Sequence, residues 1–201
     1  MKLLSRLPFF AALFLFSHAA YAQLVTGDAA PDFTLTDSNG NTHSISGEKG
    51  HYVVLEWTNP DCPFVKKHYG SGNMQSLQAE YTAKGVVWYS VASSAAGKQG
   101  SYTAGEWNDI VKNQKSAASA VLLDPDGKAG KLYGAQTTPH LFVISPDGKL
   151  IYQGAIDSIA SPDPADISSA ENYVKKALDE SLAGKSVTTP STKSYGCSVK
   201  Y

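Results

Sequence analysis

The sequence predicts an α/β fold, a three-layer sandwich whose central sheet mixes parallel and antiparallel strands. Through the first half of the chain, short apolar stretches alternate with helical stretches, which is typical of parallel strands joined by right-handed crossovers. Later in the chain, two strands flank the tight turn 145–148, so these strands are antiparallel. A hairpin extension precedes the first strand of this arrangement.

The first half predicts a hairpin followed by a strand, a helix and a strand. Asn39 and Gly40 supply the tight turn of the hairpin. Residues 52–55 are apolar on both faces, as in a central parallel strand. Asn73 is interpreted as the N-cap of the helix and Gly85 as its end. The predicted elements are strands at 33–36, 42–45, 51–57 and 86–92, and a helix at 74–84.

The second half predicts further alternation and then a C-terminal helix. Val174, Leu178 and Leu182 recur at helical spacing, and Gly184 follows them. Beyond the helix, residues 187–201 are rich in Ser, Thr and Lys and are predicted to form a flexible tail that carries Cys197. The predicted elements are helices at 103–115, 128–133 and 167–183, and strands at 121–123, 140–144 and 150–155.

Residues 1–22 have the pattern of a signal peptide. Lys2 and Arg6 give a positive start, residues 7–16 an apolar stretch, and residues 20–22 a small-x-small cleavage site. The apolar stretch is too short to span a bilayer comfortably, although an uncleaved anchor stays an alternative. We therefore expect an exported protein, periplasmic or secreted, with one domain at 23–186.

Charge and motif content exclude several classes of function. Lys2 and Arg6 are two of the 17 basic residues, so 15 remain after the signal peptide against 18 acidic residues. This balance does not predict binding to nucleic acid or stable membrane association. The histidines show no paired spacing for a metal, and no Gly-rich phosphate loop or dinucleotide motif is present. No cofactor is predicted.

Cys62 is the most informative residue for function. It follows the apolar strand and precedes a segment that can begin a helix with Pro63 in its first turn. A thiol at a helix start lies near free backbone N–H groups and the positive end of the helix dipole, which favour the reactive thiolate. The charged residues Lys66, Lys67 and His68 are interpreted mainly as a solvated helix face.

The second cysteine leaves two interpretations open. Cys62 and Cys197 are the two cysteines of the chain, and an oxidising compartment pairs most available thiols. They therefore form either a static disulfide that fastens the tail or a pair that turns over. Because the entropy cost of loop closure grows slowly with length, their separation along the chain is no obstacle to either interpretation.

Four features resemble the thioredoxin superfamily, in its redoxin or peroxiredoxin-like branch of the alkyl hydroperoxide reductase and thiol-specific antioxidant type. They cover nearly the whole chain after residue 22. The features are Ala30-Pro31-Asp32-Phe33 with its hairpin, the strand before Cys62-Pro63 within Cys-Pro-Phe-Val-Lys-Lys-His-Tyr, Thr137-Thr138-Pro139 before a strand, and the terminal Gly196-Cys197-Ser198-Val199-Lys200-Tyr201.

The resemblance implies a thioredoxin-like fold and a role for each of these residues. Cys62 would be the nucleophile and Cys197 the thiol that resolves its intermediate through a redox-active Cys62–Cys197 disulfide. Pro63, Thr138 and a cis Pro139 would face the substrate. Reducing equivalents would come from a dithiol protein partner, and the substrate would be a hydroperoxide or a protein disulfide.

The departures from the family pattern weigh on the choice of substrate. Val65 replaces the second cysteine of a Cys-x-x-Cys motif, so local dithiol chemistry is excluded. Asn59 stands where peroxiredoxins carry threonine, and Arg6 is the single arginine of the chain, which disfavours peroxide chemistry. Asn59 could donate its amide to a bound oxygen, and Glu56, if buried, could exchange protons with the Cys62 sulfur.

We therefore predict an exported thiol oxidoreductase of peroxiredoxin-like type that uses Cys62 and Cys197. The alternative is a non-catalytic binding module of the same fold. In that alternative, a structural Cys62–Cys197 disulfide clamps the tail, and the Pro139 face holds an extended segment.

Overall fold

The structure, a computed structural model, describes residues 24–201, so the predicted signal peptide lies outside the described residues. A seven-stranded mixed sheet forms the centre, in the order β2-β1-β5-β4-β3-β7-β8. Strands β3, β4 and β5 are parallel, and the others join antiparallel, as the sequence predicts. The strands are β1 (Thr34–Asp37), β2 (Thr42–Ser44), β3 (Val53–Trp57), β4 (Val87–Ala92), β5 (Ala120–Leu123), β6 (Thr137–Thr138), β7 (His140–Ile144), β8 (Leu150–Gly154) and β9 (Cys197–Ser198).

Helices cover both faces of the sheet, which gives the three layers. On one face, Val54 and Trp88 pack beneath α1, α2 and α5; on the other, Leu55 and Trp57 pack against α4. Trp107 of α3 packs on the first face as well, against Ala92 of β4 and Val121 of β5. The fold is the thioredoxin-like sandwich expected from the sequence. The helices are α1 (Pro63–Gly70), α2 (Asn73–Thr82), α3 (Ala104–Gln114), α4 (Lys128–Tyr133) and α5 (Tyr173–Leu182).

Two local predictions about helices are wrong. The helix predicted at 167–183 starts only at Tyr173, because the backbone before it pairs with residues 157–158 and Asn172 caps the new helix through the Lys175 N–H. Leu182, the last apolar residue of the repeat that predicts this helix, is exposed. At the start of α2 the N-cap is Gly72 with φ of 77°, and Asn73 instead bonds to a histidine on α1.

Residues 187–201 lie along the domain. Thr192 bonds to β8 and the residue after it, β9 pairs with β6, and the Tyr201 hydroxyl donates to the Ala135 carbonyl. The composition predicts a flexible tail, and the structure describes a docked position of that tail. The flexibility itself stays a prediction.

None of the helices in residues 24–201 has the length and apolar composition that a membrane-spanning segment requires.

Candidate active site

Cys62 lies at the point where the central strand β3 passes into α1. Its N–H donates to the Asn59 carbonyl at 3.0 Å, which closes the turn after the strand. Cys62 is the N-cap residue of α1 with extended backbone angles, and Pro63 is the first helical residue. Proline suits this position because its missing N–H would have no partner there. The Cys62 side chain is fully buried, whereas Pro63 is exposed.

The loop before β7 faces this thiol because β3 and β7 are neighbours. Their antiparallel register pairs Trp57 with His140, so the end of β3 lies beside the start of β7. The Thr138–Pro139 peptide bond there is cis. The Cys62 thiol donates to the Thr138 carbonyl at 3.0 Å. The structure thus brings together Cys62, Thr138 and Pro139, which the sequence analysis placed at one site.

Strand β9 carries Cys197 into the same place. It pairs antiparallel with β6, so that Cys197 lies opposite Thr138. Cys197 packs against the buried cluster that contains Cys62, and each thiol shifts the pKa of the other. Both cysteines are free thiols in the structure. The two thiols are therefore neighbours that are not bonded to each other, and the disulfide stays a prediction.

The surroundings of the two thiols give them different pKa values. Burial raises the pKa of Cys62, but the nearby side chains of Cys197 and Thr138 and the Val65 N–H favour its thiolate, and the net pKa is lowered. The bond from the thiol to the Thr138 carbonyl acts against this, since a carbonyl accepts only from the protonated sulfur. Burial and the Cys62 charge raise the pKa of Cys197. Cys62 is thus the more acidic thiol and Cys197 holds its proton.

Glu56 is completely buried under α1, on the sheet face that also packs against Cys62. Its carboxylate accepts hydrogen bonds from Tyr69, Gln78 and Trp88 at 2.9 to 3.1 Å. Burial raises the pKa of Glu56, and these hydrogen bonds offset part of that increase. With the Ser90 hydroxyl at 3.4 Å, four donors other than the thiol hold the carboxylate, so proton exchange with Cys62 stays a prediction.

Asn59 is fixed by contacts to the neighbouring loop. Its side-chain oxygen accepts from the Asp61 N–H at 3.0 Å, and its amide donates to the Gln99 carbonyl at 3.3 Å. A Cβ on Gly100 would lie 2.6 Å from the Asn59 side chain, so the loop fits closely against it. The amide that the sequence analysis assigned to a bound oxygen is used here to support the turn before Cys62. Its catalytic role stays a prediction.

The sequence analysis missed a buried polar cluster next to the thiols. Lys67 and His68, interpreted as a solvated face, are buried and point toward Asp157, at 3.4 and 3.7 Å. Tyr195 reaches the same cluster from the tail and donates to the Asp157 carboxylate. The signal that could have found it is an aromatic residue two positions before Cys197, in a segment otherwise rich in Ser, Thr and Lys.

Among residues 24–201, no group of three His, Cys, Asp or Glu side chains is arranged to hold a metal ion.

A thioredoxin-like sheet, a thiol at the start of the first helix and a facing cis-proline loop together define a redoxin-type oxidoreductase. The sequence model of the AhpC/TSA family matches residues 26–153. The chain therefore belongs to the AhpC/TSA family.

The chain is also similar to named thiol-disulfide oxidoreductases and to solved structures. The chain is 29% identical over 130 residues to the thiol-disulfide oxidoreductase ResA of Bacillus thuringiensis. This alignment covers 63% of this chain and 68% of that protein. An uncharacterised conserved protein from Geobacillus kaustophilus superposes with a TM-score of 0.75 at 25% identity, covering 89% and 93% of the two chains. A Chlorobium tepidum protein, provisionally assigned as a thiol:disulfide interchange protein DsbE, gives 0.55 at 27% identity over 80% and 97%.

Proposed function

We propose that the protein is a thiol-disulfide oxidoreductase in which Cys62 attacks a substrate disulfide and Cys197 resolves the intermediate. The observation that carries this proposal is the position of Cys197, which lies opposite Thr138, the residue whose carbonyl accepts from the Cys62 thiol, with Cys62 the more acidic of the two free thiols. The resemblance to ResA, a thiol-disulfide oxidoreductase, supports the same chemistry. The non-catalytic alternative requires a permanent bond between these sulfurs.

The proposed cycle has two exchange steps. The Cys62 thiolate attacks one sulfur of the substrate disulfide, forms a mixed disulfide and expels the other sulfur as a thiolate. Cys197 then gives up its proton and attacks the Cys62 sulfur, so that the Cys62–Cys197 bond forms and the remaining substrate sulfur leaves. The substrate gains two electrons and the protein becomes oxidised. A dithiol protein partner reduces the internal disulfide and restores both thiols.

The docked tail imposes a condition on this cycle. Cys62 is fully buried, and β9 occupies the edge of β6 beside it. A substrate sulfur can reach Cys62 only after β9 leaves that edge, and resolution needs β9 to return. The predicted flexibility of residues 187–201 is therefore part of the proposed mechanism.

Reduction of hydroperoxides is a second candidate, favoured by the family match over residues 26–153. The Cys62 thiolate would take the distal peroxide oxygen and become a sulfenic acid while an alcohol or water leaves. Cys197 would then condense with the sulfenic acid and release water. Two observations place this second: the Asn59 amide is already bonded to Gln99, and no arginine follows Arg6 in the sequence.

The test is turnover of a fluorescent glutathione disulfide with dithiothreitol as the reductant, in parallel with hydrogen peroxide. We expect the wild-type protein to turn over the disulfide faster than dithiothreitol alone does, and Cys62→Ser to add nothing to that background rate. In Cys197→Ser mixed with the disulfide and no dithiothreitol, we expect a Cys62 mixed disulfide to accumulate. Peroxide reduction faster than disulfide turnover would move the assignment to the second candidate. If Cys62→Ser turns over both substrates like the wild type, the enzyme proposal is wrong.

Export is a proposal that rests on the pattern of residues 1–22, and a redox role outside the cytoplasm is consistent with it. Intact mass spectrometry of the protein from a cell fraction tests it. We expect a chain that begins at Gln23; a chain that retains residues 1–22 would contradict cleavage.

A further inference from the structure

The position of Cys197 depends on contacts at both sides of it. After Cys197, the Val199 N–H donates to the Gln136 carbonyl at 3.0 Å, which holds the tail to the loop before β7. Before Cys197, the contact is made by Tyr195, whose side chain is half-buried against the domain. Because β9 has two residues, its register depends on such flanking contacts.

Tyr195 docks on the helix that carries the attacking thiol. Its ring lies 5.7 Å from the ring of Phe64, and its hydroxyl lies 3.4 Å from Nε2 of His68. Both partners belong to α1, which begins directly after Cys62. Tyr195 therefore connects the segment of Cys197 to the helix of Cys62, and the two thiols are held by one set of contacts.

The docking point is a hydrogen-bonded chain that Tyr195 completes. The Asn73 amide donates to Nδ1 of His68 at 2.8 Å, which leaves the Nε2 proton of the neutral ring to be donated to the Tyr195 oxygen. Tyr195 in turn donates to Asp157, which also lies 3.4 Å from the Lys67 ammonium. All of the cluster except Tyr195 and Asn73 is buried.

The absence of the Tyr195 hydroxyl would leave this cluster incompletely bonded. The Nε2 proton of His68 would then have only the Asp157 carboxylate as an acceptor. The distance from Nε2 to that carboxylate is 3.7 Å, which is too long for a good hydrogen bond. Asp157 would lose one of its donors in a buried site. Hydrogen bonds to charged groups are among the stronger ones, so the docked tail gains a substantial part of its stability here.

We propose that Tyr195 is a positioning residue, which by docking on the His68–Asp157 pair holds Cys197 against Cys62 and so sets the rate of internal disulfide formation. The proposal rests on the proposed function, in which Cys197 attacks the Cys62 sulfur of a mixed disulfide. In that step the Cys62–Cys197 bond forms, the bond to the substrate sulfur breaks, and the substrate leaves as a thiolate. Tyr195 itself does not touch the reacting atoms in this step.

The experiment compares Tyr195→Phe with a control of the same chemistry elsewhere in the domain. Tyr195→Phe removes the hydroxyl and keeps the ring against Phe64. The control is Tyr81→Phe, because the Tyr81 hydroxyl also donates to a carboxylate, that of Asp179 at 2.8 Å, but joins α2 to α5 away from the tail. The reduced proteins are mixed with glutathione disulfide, quenched with acid at increasing times and analysed by mass spectrometry.

Two rates are read from the same time course. The first is the second-order appearance of glutathione on Cys62, and the second is the first-order conversion of that species to the internal disulfide. We expect Tyr195→Phe to slow the second rate about tenfold or more, from the loss of a hydrogen bond to a charged group, without slowing the first. Tyr81→Phe should leave both rates as in the wild type.

If the internal disulfide forms at the same rate in Tyr195→Phe as in the wild type, the positioning role is wrong. A fall of the first rate together with the second would also overturn it, because that result indicates general damage to the site. Failure of the proposed function looks different: the wild-type protein itself would show no glutathione on Cys62, or none that converts to an internal disulfide.

Discussion

The replacement of Gly196 by alanine tests whether the docked tail controls access to Cys62. Gly196 has a φ of 127°, a region that L-residues with a side chain rarely adopt. A Cβ there would overlap the Thr138 carbonyl oxygen and lie 2.8 Å from its carbon, against backbone that cannot turn away. We therefore expect Gly196→Ala to separate β9 from β6 without disturbing the domain core.

The size of the effect follows from the hydrogen bonds that the separation breaks. The Val199 N–H would lose the Gln136 carbonyl, and the Thr138 hydroxyl would lose the Cys197 carbonyl. At about 1 kcal/mol for each of these two bonds, and without counting the pairing of β9 with β6, the closed state loses at least about 2 kcal/mol. This corresponds to an open population at least roughly 30-fold larger.

The assay is alkylation of Cys62 by iodoacetamide at pH 7 in a Cys197→Ser background, so that Cys62 is the single thiol. When the tail closes faster than the reagent reacts, the alkylation rate follows the open population. Gly184→Ala is the control, because Gly184 also has a positive φ, of 72°, but a Cβ there meets nothing within 4 Å. An unchanged alkylation rate in Gly196→Ala, with the fold intact, would refute the reasoning.

Three further predictions concern reactivity, stability and pH. In the reduced protein, the ultraviolet absorbance of thiolates should rise first from Cys62 and only at higher pH from Cys197, because the pKa of Cys62 is lowered and that of Cys197 is raised. If the step at lower pH persists in Cys62→Ser, the assignment is contradicted. Glu56→Leu should lower the free energy of unfolding by about 3 kcal/mol, because it leaves buried donors without their acceptor. A loss below about 1 kcal/mol in urea melts would show that the carboxylate is dispensable for stability. Burial lowers the pKa of His68 and His140 to about 4 from 6.5, so the unfolded state takes up their protons first, and stability falls as the pH drops from about 6.5 toward 4. Each histidine should cost about 2 kcal/mol at pH 5, and urea melts that do not change between pH 7 and pH 5 would argue against this.

Features that depend on local sequence could be predicted closely. The apolar run before Cys62, the Asn39-Gly40 turn and the proline after the thiol each determine their structure through nearby atoms. Thr103 begins α3 as predicted, because its side chain and that of Glu106 satisfy each other's backbone N–H groups. Such signals place the strand, the turn and the start of the helix that form one half of the site.

Features that depend on distant pairing could not be predicted. The helix expected at 167–183 fails in its first turns because that backbone pairs with residues 157–158, and no helical periodicity reveals such a pairing. For the same reason, the composition of residues 187–201 does not show that Tyr195 has a buried carboxylate to meet at Asp157. The sequence around Lys67 and His68 therefore predicts surface positions, because it does not show that both residues meet Asp157 in the interior.

The central claim is that Cys62 reacts first and Cys197 resolves, and mass spectrometry of the fully oxidised and partly oxidised protein tests it most directly. Reduced protein is mixed with one equivalent of glutathione disulfide, quenched with acid and digested. We predict glutathione on Cys62 at early times and an intramolecular Cys62–Cys197 disulfide at late times, with the early species persisting in Cys197→Ser. Glutathione that appears first on Cys197, or a Cys62 adduct equally persistent in the wild-type protein, would contradict the account.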